Sequence, residues 1–145
     1  MRRLFVLKVA LGIVAVATVG MVACGNKGVT REVRVAGYSA WTDTGLDVQA
    51  QQRLTVDASG EVAANPENKT SPDGFSAKPE WRKYNVVPDV PHMALIAKIG
   101  ESGKGFLVGA AFRGPAPISG RLFLGVNDRD TRNNKGSFNA VVTVK

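Results

Sequence analysis

The sequence has 145 residues, with 19 Lys and Arg against 12 Asp and Glu, one Cys and one His. That length holds one domain, and 44% hydrophobic with 21% charged residues excludes the disordered, low-hydropathy class. The formal charge of +7 raises nucleic acid or an anionic membrane as a partner, a question that turns on where the cations sit.

Three of them, Arg2, Arg3 and Lys8, precede an uncharged apolar run over 9–23 that ends in a small Ala23. A basic start, an apolar stretch and a small residue before the break are the layout of a secretory signal peptide. The run is shorter than the roughly 20 residues that span a bilayer. Met21-Val22-Ala23-Cys24 resembles a bacterial lipobox, which implies that residues 1–23 are removed and that Cys24 is lipidated. The chain would then be membrane-anchored in the cell envelope. Gly25 after the Cys resembles the signal that sends such proteins to the outer membrane rather than the inner. An uncleaved anchor helix and an ordinary secretory signal are the alternatives. After removal of 1–23 the charge falls to +4, so no nucleic-acid partner is expected. With Cys24 lipidated, the folded part has neither disulfide nor thiol chemistry. Residues 24–30 read as a lipidated tether and 31–145 as the folded domain.

From Arg31 the pattern is that of β structure. Glu32-Val33-Arg34-Val35 alternates polar and apolar, and Leu54, Val56 and Ala58 share one face, the period of a half-buried strand. Over 65–91 five of the seven prolines cluster and no strand-like run persists. A loop of that length in a compact domain is commonly functional, and Phe75, Trp81 and Tyr84 argue against a solvated linker. It either lines a site or packs over a sheet edge. The runs 94–100 and 106–112 are more continuously apolar, as in strands inside a sandwich core. Leu122, Leu124 and Val126 share a face, as do Phe138, Ala140, Val142 and Val144. Glycines punctuate these runs at turn spacing, and no capped amphipathic helix of useful length occurs. The fold expected is all-β, an antiparallel β-sandwich.

Catalytic constellations are sparse, so an enzyme is not expected. A Ser/His/Asp triad would need His92, which between Pro91 and Met93 reads as a structural or surface residue. Gly100–Gly105 lacks the Gly (Lys98 stands there) and the Ser or Thr (Gly105 stands there) of a phosphate loop, and reads as a tight turn. The segment 127–136 does carry chemistry. Asp128, Asp130, Asn133 and Asn134 concentrate carboxylate and amide oxygens, the donors a hard cation such as Ca²⁺ takes. A polar hairpin is the alternative, and Arg129, Arg132 and Lys135 oppose cation capture.

The stretches Ala94–Gly103, Gly120–Asp128 and Asn133–Phe138, in this order and spacing, together with Leu54–Gly60 and Pro72-Asp73-Gly74 upstream, resemble the galactophilic PA-I lectin family (PA-IL-like proteins). The resemblance covers roughly 31–145. It implies a jelly-roll-like, galactose-binding-domain-like sandwich that binds one Ca²⁺ at an apex, where the ion takes two hydroxyls of a galactose-type sugar. Carried over by position, the metal ligands are Asp128, Asn133, Asn134, the backbone carbonyl of Ala64 and that of Asp130 or Thr131. Asp128 and Asn133 would also meet the sugar hydroxyls. Where the family has a His and a Gln that select the sugar, Lys78 and Trp81 stand, as an acid-accepting cation and a stacking ring. Family members form tetramers through their sandwich faces, which leaves homo-oligomerisation open. The loop after Asp128 is about two residues shorter than the family pattern, and its three cations support a second expectation. In that reading the chain is a non-catalytic envelope scaffold or interaction lipoprotein that keeps the sandwich without the metal and sugar site.

Overall fold

The computed structural model describes residues 28–145. The expected signal peptide and Cys24 lie outside the described residues. Among the described residues no helix is long and apolar enough to cross a membrane.

Among the described residues nine strands form two antiparallel sheets: β1 Val29–Ala36, β2 Thr42–Val48, β3 Arg53–Asn65, β4 Asn68–Thr70, β5 Leu95–Ile99, β6 Phe106–Leu107, β7 Ala111–Pro115, β8 Gly120–Val126 and β9 Lys135–Val144. One sheet runs β1-β9-β3-β4, with β7 also on β3, and the other runs β2-β8-β5-β6. Because β1 begins at Val29, pairing Val29 with Val144, the last two residues of the expected tether belong to the sheet.

β3 is the spine of the first sheet. It pairs β9 from Leu54↔Val144 to Ala63↔Lys135, while its other edge takes β7 along the first half and β4 at the end. The period of two puts Leu54, Val56 and Val62 inward with Phe138, Ala140 and Val142, all 0–1% exposed. They pack in one cluster with Leu95, Ala97, Ile99, Leu122, Leu124 and Val126 of the second sheet. Burial of each such side chain contributes about 1.5–3 kcal/mol, and the two inner faces together make the sandwich core.

β5 is covered on both faces, as its apolar run, interrupted at Lys98, requires. Leu95 and Ala97 face the core, while Ala94 and Ile96 meet Val90, with Trp41 and Val87 packed against them. The space beside Trp41 is tight enough that a Cβ on Gly125 would stand 2.8 Å from its ring and 2.5 Å from Ala40 O, so only glycine fits there.

The apolar run 106–112 departs from a single core strand. β6 ends at Leu107 in the second sheet, Gly109 takes φ +66°, and β7 joins β3 in the first sheet with alternating rather than continuous burial. Leu95 O accepts from the N–H groups of Val108 and Gly109 at 3.0 Å, and Asp73 Oδ1 accepts from Ala110 N–H at 2.8 Å. These bonds hold the crossover, which an L side chain at Gly109 would strain. The proline-rich middle is also more ordered than a plain loop, since it holds β4 and a 3-10 helix at Pro79–Tyr84.

Candidate functional site

Antiparallel pairing brings the end of β3 beside the start of β9, where Ala63 pairs with Lys135. The segment that leaves β8 after Val126 returns to β9 at this same end of the sandwich. A cavity of about 310 Å³ opens there.

One wall is oxygen-rich, made by Asp128, Asp130 and Asn133. Asp128 is only 6% exposed. Its Oδ1 accepts from Asp130 N–H at 3.0 Å, and its Oδ2 accepts from Asn134 Nδ2 at 3.0 Å. A 3-10 turn over Thr131–Asn133 shapes the loop. Thr131 Oγ1 donates to Tyr38 O at 3.0 Å, and Thr131 O accepts from Asn134 N–H at 3.1 Å. Of the two alternative backbone donors, Asp130 borders the cavity, whereas the Thr131 carbonyl is engaged inside the turn. The Arg132 guanidinium donates to both carboxylate oxygens of Asp130, at 2.8 and 2.9 Å, and holds that carboxyl below the usual range.

Asn134 sits behind Asp128, 2% exposed. Its Nδ2 also donates to Gly37 O at 3.2 Å. Two acceptors therefore fix the amide orientation and leave Oδ1 buried without a partner. An unpaired buried acceptor costs about 1–3 kcal/mol.

A second wall is the β3–β4 hairpin, with Ala64, Asn65 and Asn68. Asn65 Oδ1 accepts from the N–H groups of Glu67 and Asn68, at 3.1 and 2.9 Å, an Asx turn that sets the hairpin.

The third wall is aromatic: Trp81, Tyr84 and His92. Trp81 stands edge-on to Phe75 and to His92, with centroids 5.0 and 5.7 Å apart. Lys78 is not among the lining residues; its ammonium lies 4.1 Å from the Trp81 ring centroid. Pattern reasoning did not place Asn65, Asn68, Tyr84 and His92 at the site. Tyr84 stood out as an aromatic of the 65–91 loop and His92 as the single His after Pro91, whereas Asn65 and Asn68 carried no signal of their own.

His92 is 6% exposed and 2.9 Å, at Nδ1, from Asn85 Oδ1. Asn85 Nδ2 donates to Val90 O at 2.6 Å, so Oδ1 is the acceptor and His92 Nδ1 carries the proton. Burial pushes the imidazole pKa down, against smaller upward pulls from Asp128 and the Asn127 carbonyl. The unfolded chain thus binds this proton more readily than the native one, and stability falls as pH drops through the ordinary histidine value near 6.5 toward the lowered native value. Thermal melts between pH 7.5 and 5 are expected to show that decline, and His92→Gln is expected to flatten it. A decline of equal slope in the variant would remove His92 as its cause.

Asn127 fastens the aromatic wall to the oxygen wall. Its Nδ2 faces the carbonyls of Val87, Val90 and Pro91, each at 3.1 Å, and its Oδ1 accepts from Val87 N–H at 2.8 Å. Arg129 N–H donates to Tyr84 O at 2.8 Å. A larger groove of about 720 Å³ lies over the outer β1, β9 and β3 face beside Glu32, Arg34, Asp57 and Val141. Its oxygen-bearing side chains, Glu32, Asp57, Ser59 and Asn139, are all exposed on the open sheet face, unlike the buried Asp128.

No protein-family model and no curated protein matches the chain. Among solved structures it is similar to the N-terminal domain of EclA, described as a PllA-like lectin, at 23% identity over 79% of this chain and 96% of that one, with a TM-score of 0.63. The likeness is one of fold: the chain is an antiparallel β-sandwich of the same architecture as that lectin domain.

Proposed function

We propose that the protein binds carbohydrate in a calcium-dependent manner, as a non-catalytic, lectin-like lipoprotein of the cell envelope held by Cys24, at the outer membrane rather than the inner. The observation that carries this reading is the meeting of Ala64, Asp128, Asp130, Asn133 and Trp81 around one cavity. A lectin domain of like fold supports it.

The donors fit a hard cation. Among the described residues no group of three or more His, Cys, Asp or Glu gathers as a metal cluster. What gathers instead is a buried carboxylate with amide and carbonyl oxygens, the ligand type calcium takes. The buried, unpartnered Asn134 Oδ1 is an acceptor that a cation would satisfy. Asp128, Asn133 and Asn134 with the carbonyls of Ala64 and Asp130 would hold the ion. Calcium accepts six to eight oxygens and would leave positions for two sugar hydroxyls. Trp81 and Tyr84 offer faces on which a pyranose can stack. No Ser or Cys lines the cavity, and the His92 proton is engaged by Asn85, an arrangement suited to binding rather than catalysis.

Glycan profiling of the mature protein tests this: retention on at least one glycan in millimolar Ca²⁺, lost in EDTA, is the expected result. One observation favours the scaffold reading, in which the sandwich persists without metal. Arg132 occupies both carboxylate oxygens of Asp130, removing negative charge from the cavity edge. A calorimetric titration without a Ca²⁺ isotherm up to millimolar concentration would decide for it.

A further inference from the structure

The aromatic wall carries charge that the sugar-binding reading leaves unused. Lys78 Nζ lies 4.1 Å from the Trp81 centroid and Lys83 Nζ 4.9 Å from that of Tyr84, and both rings line the cavity. Among the described residues every ion pair is made by an arginine, Arg113, Arg121 or Arg132, so neither lysine is neutralised by a carboxylate. Arg82 shares their 3-10 segment, with Glu80 as its only acid, and Arg129 is tied to Tyr84 through its backbone. Cation–π attraction holds each ammonium beside its ring, and an ammonium has three donors to offer a ligand. Across the cavity Asp130 is already paired with Arg132, leaving Asp128 as the one carboxylate on the lining without an arginine partner. A bound cation would make the mouth more positive still.

We infer that this wall is an anion-reading subsite, which selects glycans whose sugar ring reaches Asp128 and Asn133 while a sulfate, phosphate or carboxylate substituent is received by Lys78 and Lys83. The inference rests on the proposed carbohydrate site and narrows its ligand to acidic saccharides. Stacking on Trp81 and Tyr84 supplies sequence-tolerant contact. The two ammonium groups supply the discrimination, because a neutral sugar leaves them merely solvated.

The test uses matched glycan pairs, the same oligosaccharide core with and without sulfate, measured in Ca²⁺ against the parent and the Lys78→Gln/Lys83→Gln double variant. Both positions are on the surface of the segment, and a melting curve confirms the fold. The parent is expected to prefer the sulfated member by about three- to tenfold, the scale of two partly exposed charge contacts, with the preference shrinking as NaCl rises from 50 to 500 mM. The double variant is expected to lose the preference, binding the two members of each pair equally. Equal Ca²⁺-dependent binding of both members by the parent overturns the subsite and leaves the carbohydrate site standing, as does a preference that survives in the double variant. Sulfated binding that persists in EDTA, or that inorganic sulfate at matched ionic strength displaces fully, means simple anion attraction and also overturns it. Retention of no glycan under any condition overturns both readings.

Discussion

Asp128→Asn and Asn133→Ala proteins are expected to lose calcium-dependent glycan retention altogether, and with it the stabilisation that calcium confers on the parent. A ligand present at 100 times its dissociation constant stabilises the native state by about 2.7 kcal/mol, which for a domain of this size raises the melting temperature by roughly 10 °C. The parent is expected to show a shift of that order in millimolar Ca²⁺ and the Asp128→Asn protein almost none. Asp128 is the test position because its carboxylate is buried yet held by only two hydrogen bonds, from Asp130 N–H and Asn134 Nδ2. The amide of Asn keeps the shape and one acceptor oxygen, so the apo fold should persist while the charge is gone. Asn133 tests the two ligands together, because it borders the cavity and would meet both ion and sugar. If both variants retain calcium shift and glycan binding at parental levels, the loop after β8 is only a polar turn and the proposed function fails.

The strands that frame this site were legible wherever one face meets the core and the other meets water. Phe138, Ala140, Val142 and Val144 alternate with polar or exposed neighbours along β9, and period two alone identifies that strand. β2 was not legible. Its inward row is Thr44, Leu46 and Val48, and Thr44 reads as polar until its hydroxyl is seen donating to Leu122 O at 2.8 Å. Gly45, at φ +72°, further breaks the pattern. The run 106–112 misled for another reason. Its apolar residues serve two sheets in turn, and composition does not register a change of sheet. At the site, the oxygen-rich segment 127–136 stood out because its donors are close in sequence. The aromatic wall did not, because Tyr84 and His92 reach the cavity through a loop without periodicity, positioned by hydrogen bonds from Asn85 and Asn127 whose partners are known only once the chain is folded. His92, which reads from the sequence as a structural or surface residue, is buried and also borders the cavity.

Asn127→Ala is expected to be the most destabilising single polar substitution in this region. The residue is 0% exposed and follows β8 directly. Its backbone already pairs with the two residues that precede β5, N–H to Ala94 O at 2.9 Å and O from Met93 N–H at 3.0 Å. Its side chain is therefore free to serve the 85–92 segment alone, and it reaches three carbonyls and one N–H there. Alanine leaves Val87 N–H without its acceptor, at about 1–3 kcal/mol where water does not reach it, takes one of two donors from each of the three carbonyls, and leaves a void the size of an amide. A total loss of roughly 3–4 kcal/mol is expected from denaturant unfolding, a fall of about 12–16 °C in melting temperature. Asn127→Asp keeps the volume but sets a carboxylate against three carbonyl oxygens, so it should be no better at neutral pH. Amide exchange gives the local readout, since Val87 and Val90 donate from this segment, to Asn127 Oδ1 and Val87 O, and should lose protection before the core strands do. Val90 and Val87 also cover Ala94 and Ile96, so release of the segment uncovers the outer face of β5 and unseats Trp81, Tyr84 and His92 together. A loss below about 1 kcal/mol with unchanged exchange at Val87 and Val90 would mean that apolar packing on β5, and not the Asn127 amide, holds the aromatic wall in place.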